Sequence, residues 1–427
     1  MADIAAGDEL PRQPGGPLGW LAALTPANRA RVPVAWALYD FANTIFSIGV
    51  VSTAMGLWLT EPSRFGQDAG QLVLSVAVAV SVGINAIVSP ILGAISDRVR
   101  RRLPFLAFFT ALTVVPCAFI GPSGAWLGVL LFTIANFSYQ AALIYYDATL
   151  SAVSYPVTRG KLSGFGVGIG YMGTIVTLLT LFLVDPPVEA IFLMVAILFT
   201  VFALPIFVVV REARGGGERL TVADVVGSFG QLAATIRDAR EIPGMLRFLV
   251  GRFFYTDAVN TFIIVMAVLA VRAMGLSETQ YYLLGLAVTV VTIIASFGWG
   301  LLVDRIGPKR TLMIVLGSWA VGLVIGAAAV GMPGTTVGVA LLVVGGMILG
   351  SGLGGVWVSD RVFLIRLAPA EKIGEFFGLY GLVGKASQVV GQLAYGVVIY
   401  LFLDTLGTAP TSWRCCRCSS RWSSGCG

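Results

Sequence analysis

Long apolar runs separated by short polar segments dominate the chain. Eleven of these runs are long enough to cross the roughly 30 Å hydrocarbon core of a bilayer as helices. They predict spans at 34–60, 71–95, 103–121, 125–152, 163–184, 188–210, 246–271, 279–302, 311–331, 336–358 and 375–403. One such run is compatible with a buried helix of a soluble protein, whereas eleven in succession indicate an all-α, multi-pass membrane protein.

The basic residues between these runs fall almost entirely on one side of the predicted spans. Twenty-two Lys and Arg lie in the N-terminal segment and in alternate loops, whereas the opposite loops contain only Arg64 and Arg272. Cytoplasmic loops carry such an excess of Lys and Arg. We therefore expect the N-terminus to lie in the cytoplasm.

The longest basic loop divides the spans into six and five. Its first part is rich in glycine and the rest is amphipathic, which predicts a helix along the membrane surface. A linker is the simplest interpretation, and a regulatory site is the alternative. The expected organisation is a flexible cytoplasmic tail (1–33), a six-helix bundle (34–210), a central cytoplasmic linker (211–245), a five-span bundle (246–403) and a C-terminal segment (404–427).

Composition agrees with this topology and excludes several functions. Only 12% of the residues are charged, about half of the fraction in soluble proteins. The chain contains no His, which excludes histidine-based catalysis and histidine metal sites. The net charge of +6 is spread over loops and does not indicate nucleic-acid binding. We expect neither a metal nor a cofactor.

One short signal occurs twice. Gly93–Arg102 is G-A-I-S-D-R-V-R-R-R and Gly300–Arg310 is G-L-L-V-D-R-I-G-P-K-R, and each joins two apolar runs. Asp-x-x-Asn occurs at 40–43 and again at 257–260, and Asp147 and Asp360 are each followed nine residues later by Pro. The similar offsets of about 210 residues predict a duplicated bundle, an organisation typical of transporters.

The repeated turn resembles the signature of the major facilitator superfamily, G-x-x-x-D-R-x-G-R-R. Arg100 stands in the position of the second Gly in the first copy, and Gly307 keeps it in the second. Within the superfamily, the chain resembles the vacuole effluxers, which include fungal vacuolar amino-acid exporters linked to autophagy and bacterial proteins without an assigned substrate. The segments that carry it are 35–43, 159–173, 252–260 and 377–387.

This resemblance covers about 34–403 and implies two pseudo-symmetric six-helix bundles that work by alternating access. The implied fold needs a twelfth span after about residue 405. The chain instead continues with a segment rich in Cys, Arg, Ser and Trp. The codons for such residues encode mainly apolar residues when the reading frame begins one base earlier. We therefore expect that a frameshift near 410–412 removed the last span. The four cysteines of the segment do not form the two C-x-x-C pairs of a four-cysteine metal site.

Polar groups inside the spans are the candidates for substrate binding and coupling, because ionisable groups are costly in hydrocarbon. One hypothesis is that Lys385 receives an anionic substrate group while Asp257 or Asp40 carries a coupling proton. The alternative is a fixed ion pair between Lys385 and an Asp. The candidate substrate and coupling residues are Asp40, Asn43, Asp257, Asn260, Lys385, Gln388, Tyr171 and Gln140.

A second group lies at the cytoplasmic ends of the spans. The superfamily resemblance implies that these residues form a charge network that latches the outward-facing state. They are Gly93, Asp97, Arg98, Arg101, Asp147, Gly300, Asp304, Arg305, Arg310 and Asp360. The glycines of 164–170 predict close helix contact, and the dinucleotide-like pattern there lacks the preceding strand that such a site requires.

We expect a secondary active transporter of small solutes, with amino-acid efflux as the family-guided function. Proton- or cation-coupled sugar or drug transport is an alternative. A membrane enzyme is disfavoured, because the sequence shows no polar catalytic cluster. A non-transporting receptor is disfavoured, because no segment is long enough for an added soluble domain. The expected partners are a small-molecule substrate, protons and the lipid bilayer, with no nucleic acid. We expect a monomer in the cytoplasmic membrane of a bacterium.

Overall fold

The computed structural model describes residues 19–212, 235–268, 270–271 and 274–402. Among these residues it contains eleven long helices and no strand. The helices are α1 Arg31–Thr60, α2 Gly66–Val99, α3 Leu103–Ile120, α4 Ala125–Val153, α5 Arg159–Val184, α6 Val188–Val209, α7 Met245–Val268, α8 Glu278–Ile306, α9 Pro308–Val330, α10 Thr336–Leu367 and α11 Ile373–Phe402. Within the described ranges, nine of the eleven helices meet the length and hydropathy expected of a membrane span. The two helices that are not among these nine are α7 and α11.

Three helices continue past their predicted ends on the side that the basic residues mark as cytoplasmic. The structure ends α2 at Val99, α8 at Ile306 and α10 at Leu367, whereas the apolar runs ended at 95, 302 and 358. Hydropathy ends a span at its first charges, but a helix continues while its charged side chains find partners. The prediction was therefore short by one to three turns at these ends.

The segment just before α1 differs from the predicted flexible tail. Gly19–Ala22 forms one helical turn, and Leu21 and Leu24 are buried. Thr158 Oγ1 donates a hydrogen bond of 2.8 Å to the Leu24 carbonyl. Residues 19–33 are thus packed against the first bundle. The rest of the predicted tail (1–18), most of the linker (213–234) and the predicted frameshifted segment (404–427) lie outside the described residues.

An aromatic stack forms the centre of the first bundle, which comprises α1–α6. The ring of Tyr146 on α4 stacks between Trp36 and Tyr39 of α1, with centroid distances of 4.7 and 5.1 Å. Trp36 Nε1 donates to Thr149 Oγ1 at 3.1 Å, which satisfies the buried indole N–H. Farther along, α1 widens into a π-helical segment, Ser47–Ala54. Such π segments are frequent at functional sites.

The two bundles meet where helices cross without side chains between them. A Cβ at Gly93 of α2 would collide with the Gly374 carbonyl of α11. A Cβ at Gly164 of α5 would lie 3.0 Å from the Gly300 Cα of α8. The expectation of close helix contact at the glycines of α5 is confirmed. We call these two crossings, α2 with α11 and α5 with α8, the cytoplasmic seal.

We expect Gly300→Ala to weaken the seal, because the added Cβ would lie 2.6 Å from the Gly160 carbonyl oxygen. Overpacking of this kind costs about 1–3 kcal/mol. Gly298→Ala, on the same helix, is the matched control, because nothing lies within 4 Å of its Cβ position. Thermal unfolding in detergent should show a lower Tm for Gly300→Ala only. Equal Tm values for the two variants would contradict the crossing.

Candidate functional site

A cavity of about 480 Å³ lies between the two bundles. Its lining comes from α1, α4 and α5 of the first bundle and from α7, α10 and α11 of the second. The volume falls within the roughly 300–1,000 Å³ typical of small-molecule sites. Seven of the sequence-predicted substrate and coupling residues line this cavity: Asp40, Asn43, Gln140, Tyr171, Asn260, Lys385 and Gln388.

Asp40 presents a carboxylate to the cavity from the first half of α1. It fits there because α5 has Gly170 opposite, where a Cβ would lie 3.0 Å from Asp40 Oδ2. Within the described part of the chain, the carboxylate has no ion pair or hydrogen bond. One turn farther along, both side-chain polar atoms of Asn43 are buried and lack partners among the described residues. This wall of the cavity therefore offers polar groups that the protein leaves available.

Lys385 presents the opposite charge from α11. Its ammonium donates to Asn85 Oδ1 and, at 3.2 Å, to Ser89 Oγ, both on α2. The amide of Asn85 donates in turn to the Phe137 carbonyl at 2.9 Å, which turns its oxygen towards Lys385. In the described residues Lys385 has only these neutral partners. The alternative of a fixed ion pair between Lys385 and an Asp does not describe this conformation.

The structure separates Asp257 from the other predicted residues. Asp257 is absent from the cavity lining, and its carboxylate occupies the space beside Gly391 of α11. Its Oδ1 is buried and has no hydrogen-bond partner among the described residues. The Asp-x-x-Asn repeat therefore places Asn260, but not Asp257, in the cavity.

Arg361 forms part of the cavity floor, and sequence reasoning had assigned it to a loop. From α10 of the second bundle it pairs with Asp147 on α4 of the first at 3.3 Å. It also donates to the Oγ and carbonyl oxygen of Ser163 on α5, at 2.6 and 2.7 Å. Its guanidinium lies 5.0 Å from the ring centroid of Trp36. One buried side chain thus connects the second bundle to three helices of the first.

Arg252 is the second floor residue that the sequence analysis missed. It forms an ion pair with Asp360 and lies 3.2 Å from the ring centroid of Tyr380. Tyr380 donates to Asp360 Oδ2 at 2.8 Å. Removing one partner of a buried pair costs about 3–5 kcal/mol, because the other charge stays buried. Arg252 lies seven residues after the start of α7, and this position inside a helix was the available signal for a buried role.

Asp97 closes the crossing of α2 with α11. Its carboxylate accepts the backbone N–H groups of Gly374 and Glu375 at 2.9 and 2.8 Å. These residues form the first turn of α11, where unpaired N–H groups and the helix dipole favour a negative charge. Arg102 lies 3.3 Å from the same carboxylate.

Asp304 does the same at the crossing of α5 with α8. It accepts the backbone N–H groups of Gly160 and Lys161, in the first turn of α5, at 2.7 and 3.0 Å. Each bundle therefore contributes one carboxylate to a helix N-terminus of the other bundle. The two repeated turns are equivalent in geometry as well as in sequence.

The remaining predicted gating residues occupy different surroundings. Gly93 and Gly300 lie at the crossings, whereas Asp147 and Asp360 pair with the floor arginines. Arg98 is half-buried at the end of α2, and the other predicted basic gating residues are exposed: Arg101, Arg305 and Arg310. The ion pair with Asp97 comes from Arg102, which the sequence analysis did not select.

The end of the linker contacts the same helix that Asp97 caps. Residues 235–241 are helical, Asp238 pairs with Lys372, and Thr235 donates to Glu375. The bond from Lys372 lowers the pKa of the Asp238 carboxyl, and the same bond raises the pKa of Lys372. The pair is complete at neutral pH and is lost as the pH falls through the lowered pKa of Asp238.

Comparison with known proteins gives concordant results. The family model described as "Vacuole effluxer Atg22 like" matches residues 154–401, more than half of the chain. An uncharacterized MFS-type transporter, YxiO of Bacillus subtilis, is 27% identical over 86% of this chain and 88% of its own length. Autophagy-related protein 22 of Yarrowia lipolytica is 23% identical, over 75% and 69%.

A solved structure shares the fold. The proton:xylose symporter XylE, of the major facilitator superfamily, superimposes with a TM-score of 0.63 at 15% identity, covering 86% of this chain and 87% of that one. At this identity the likeness shows the fold alone, so the transported solute must be inferred from the cavity.

We expect Asp97→Asn with Asp304→Asn to open the cytoplasmic seal. Asn keeps one acceptor oxygen but removes the charge that the helix N-termini favour, which costs up to about 2 kcal/mol at each site. The population of seal-open molecules should rise by more than tenfold. Spin labels at Val157→Cys and Lys309→Cys, with the native cysteines replaced, should report longer distances by double electron–electron resonance.

Asp68→Asn is the control for this measurement, since Asp68 is exposed in the first turn of α2 at the opposite end. It removes one carboxylate charge, against two in the double variant, without touching the seal. An unchanged distance distribution in the double Asn variant would show that the two carboxylates do not hold the bundles together.

Proposed function

The chain belongs to the vacuole effluxer Atg22-like family of major facilitator transporters, and on this premise we propose that it exports amino acids by alternating access. Family membership makes it a multi-pass membrane transporter of small molecules and not an enzyme. The substrate, the direction and the coupling are our inferences.

The observation that carries the proposal is the presence in one cavity of an acidic and a basic side chain that form no ion pair within the described residues. Asp40 and Lys385 both line it, and in the described residues neither pairs with an opposite charge. A zwitterion such as an amino acid carries the two charges that would pair with these side chains. Its carboxylate would replace the neutral partners of Lys385, and its ammonium would meet Asp40. Each charge-assisted bond is worth about 1.5–3 kcal/mol.

Asp40 also supplies a route to coupling. A carboxylate that binds the ammonium of a substrate cannot hold a proton at the same time, so proton and substrate exclude each other at Asp40. Such exclusion couples export to proton entry. We assign this role to Asp40 over Asp257, because Asp40 lines the cavity and Asp257 lies outside it against Gly391.

The cytoplasmic seal controls access to the cavity in the proposed alternating-access cycle. In this conformation Asp97 and Asp304 close the cytoplasmic ends, and Arg361 ties the bundles together at the cavity floor. Release of these contacts would expose the cavity to the cytoplasm. We propose that these residues gate access and do not bind cargo.

Sugar transport is the second candidate, favoured by the amides that line the cavity. Asn43, Gln140, Asn260 and Gln388 can all hydrogen-bond to hydroxyl groups,. A sugar, however, carries no charge that would pair with Asp40 or Lys385. We further propose a monomer in a bacterial cytoplasmic membrane, with the N-terminus inside. The charge asymmetry of the loops, the bacterial relative and a cavity formed by one chain support this.

The first test is substrate-dependent thermal stabilisation across amino acids, sugars and drugs, followed by counterflow in proteoliposomes. We expect amino acids to raise the Tm and to exchange. Lys385→Gln should weaken their binding by about 10–100-fold, because the charge-assisted bond is lost. Lys309→Gln, an exposed site, is the matched control. Stabilisation by sugars alone would favour the second candidate and reject amino-acid transport.

We expect Asp40→Asn to abolish transport driven by a pH gradient while counterflow persists at reduced affinity. Asp257→Asn, which changes a carboxylate outside the cavity, should leave the pH dependence of transport unchanged. Loss of pH-driven transport in Asp257→Asn, with Asp40→Asn normal, would transfer the coupling role to Asp257.

A further inference from the structure

Two adjoining cavities open on the cytoplasmic edge of the first bundle, away from the site between the bundles. One, of about 270 Å³, contains Arg29, Arg31 and Arg211 in its lining. The other, of about 720 Å³, is lined by Arg101 and again by Arg211. Val210 and Arg211 line both cavities, so the two lie side by side and are treated together as one basic recess. We call it the arginine recess.

The ends of several helices bring these arginines together. Arg31 is the first residue of α1, Arg211 follows the end of α6, and Arg101 precedes the start of α3. All four arginines are exposed, and within the described residues none forms an ion pair or a hydrogen bond. Their charges are therefore available to a ligand.

The acid next to them does not neutralise the recess. Glu212 lines the larger cavity, but its carboxylate accepts the backbone N–H groups of Arg102 and Leu103, at 2.8 to 3.0 Å. Glu212 thus serves the N-terminus of α3, where a negative charge is favoured. Four arginines against one glutamate leave the lining of the recess with a net charge of +3, which favours an anion.

The recess also continues onto an apolar face. Val208 lines the smaller cavity and is exposed, and Leu204, one turn earlier on α6, is exposed as well. Phe108 of α3 is a further exposed apolar side chain on the neighbouring helix. In a membrane these side chains face acyl chains. A ligand with an anionic head and hydrocarbon tails fits both parts of the surface.

We propose that the arginine recess binds the headgroup of an anionic phospholipid from the cytoplasmic leaflet. Basic pockets between membrane helices on this side bind such headgroups. The phosphate contacts the arginines, and the acyl chains lie along α3 and α6. The lipid joins the start of α1 to the end of α6 and so stabilises the first bundle.

Native mass spectrometry of the purified full chain, titrated with dioleoylphosphatidylglycerol, tests this proposal. We expect the triple variant Arg29→Gln, Arg31→Gln, Arg211→Gln to bind this lipid about a hundredfold more weakly, at about fivefold per arginine. The triple Lys variant at the same positions keeps the charge and should retain binding within about threefold. Dioleoylphosphatidylcholine, which has no net charge, should bind weakly to all forms.

The matched control neutralises Arg237, Arg240 and Arg247, three exposed cytoplasmic arginines near the start of α7. It removes the same charge and should bind phosphatidylglycerol like the unmodified chain. Inorganic phosphate should not displace the lipid at equal concentration. Equal lipid binding by the two Gln variants would overturn the proposal. Loss in the Lys variant, or displacement by phosphate alone, would also overturn it.

Discussion

The capture of a carboxylate by the N-terminus of a helix in the opposite bundle organises this protein. Asp97 bonds to the first turn of α11, and Asp304 bonds to the first turn of α5. In each contact an acid supplies the negative charge that unpaired N–H groups favour. The cavity between the bundles depends on these contacts, because they hold the bundles close enough to enclose it.

Close backbone approach and buried charge reinforce each other at the seal. The acids reach backbone N–H groups only because glycines remove side chains from the crossings, as Gly93 does against Gly374. Deeper in, Arg361 crosses from α10 to Asp147 and Ser163. A charge in hydrocarbon requires partners, and here those partners belong to the other bundle. The energetic requirement of one arginine thus becomes a connection between the two halves.

Sequence reasoning succeeded where the physics is local or repeated. The eleven helices follow from apolar runs, and the position of Asp97 and Asp304 at equivalent turns follows from a pattern that occurs twice. It failed where a partner is distant in sequence. Asn85, which holds Lys385, lies 300 residues away. The partners of Arg361 are similarly remote, so its charge was interpreted as belonging to a loop. Spacing alone also cannot tell which neighbour a helix face meets, which is why Asp257 was expected beside Asn260 in the cavity.

Because each of these hydrogen bonds joins an aspartate to backbone N–H groups, the two partners differ in how well they tolerate substitution. One partner in each contact is a peptide N–H, which every amino acid except proline supplies. The side chains of Lys161 and Glu375 can therefore be substituted during evolution without disturbing the hydrogen bonds that their backbone N–H groups donate. The acids have no such freedom, since no other residue type offers the same charge at the same reach as Asp. Variation among relatives should therefore accumulate at positions 161 and 375 and spare the two aspartates.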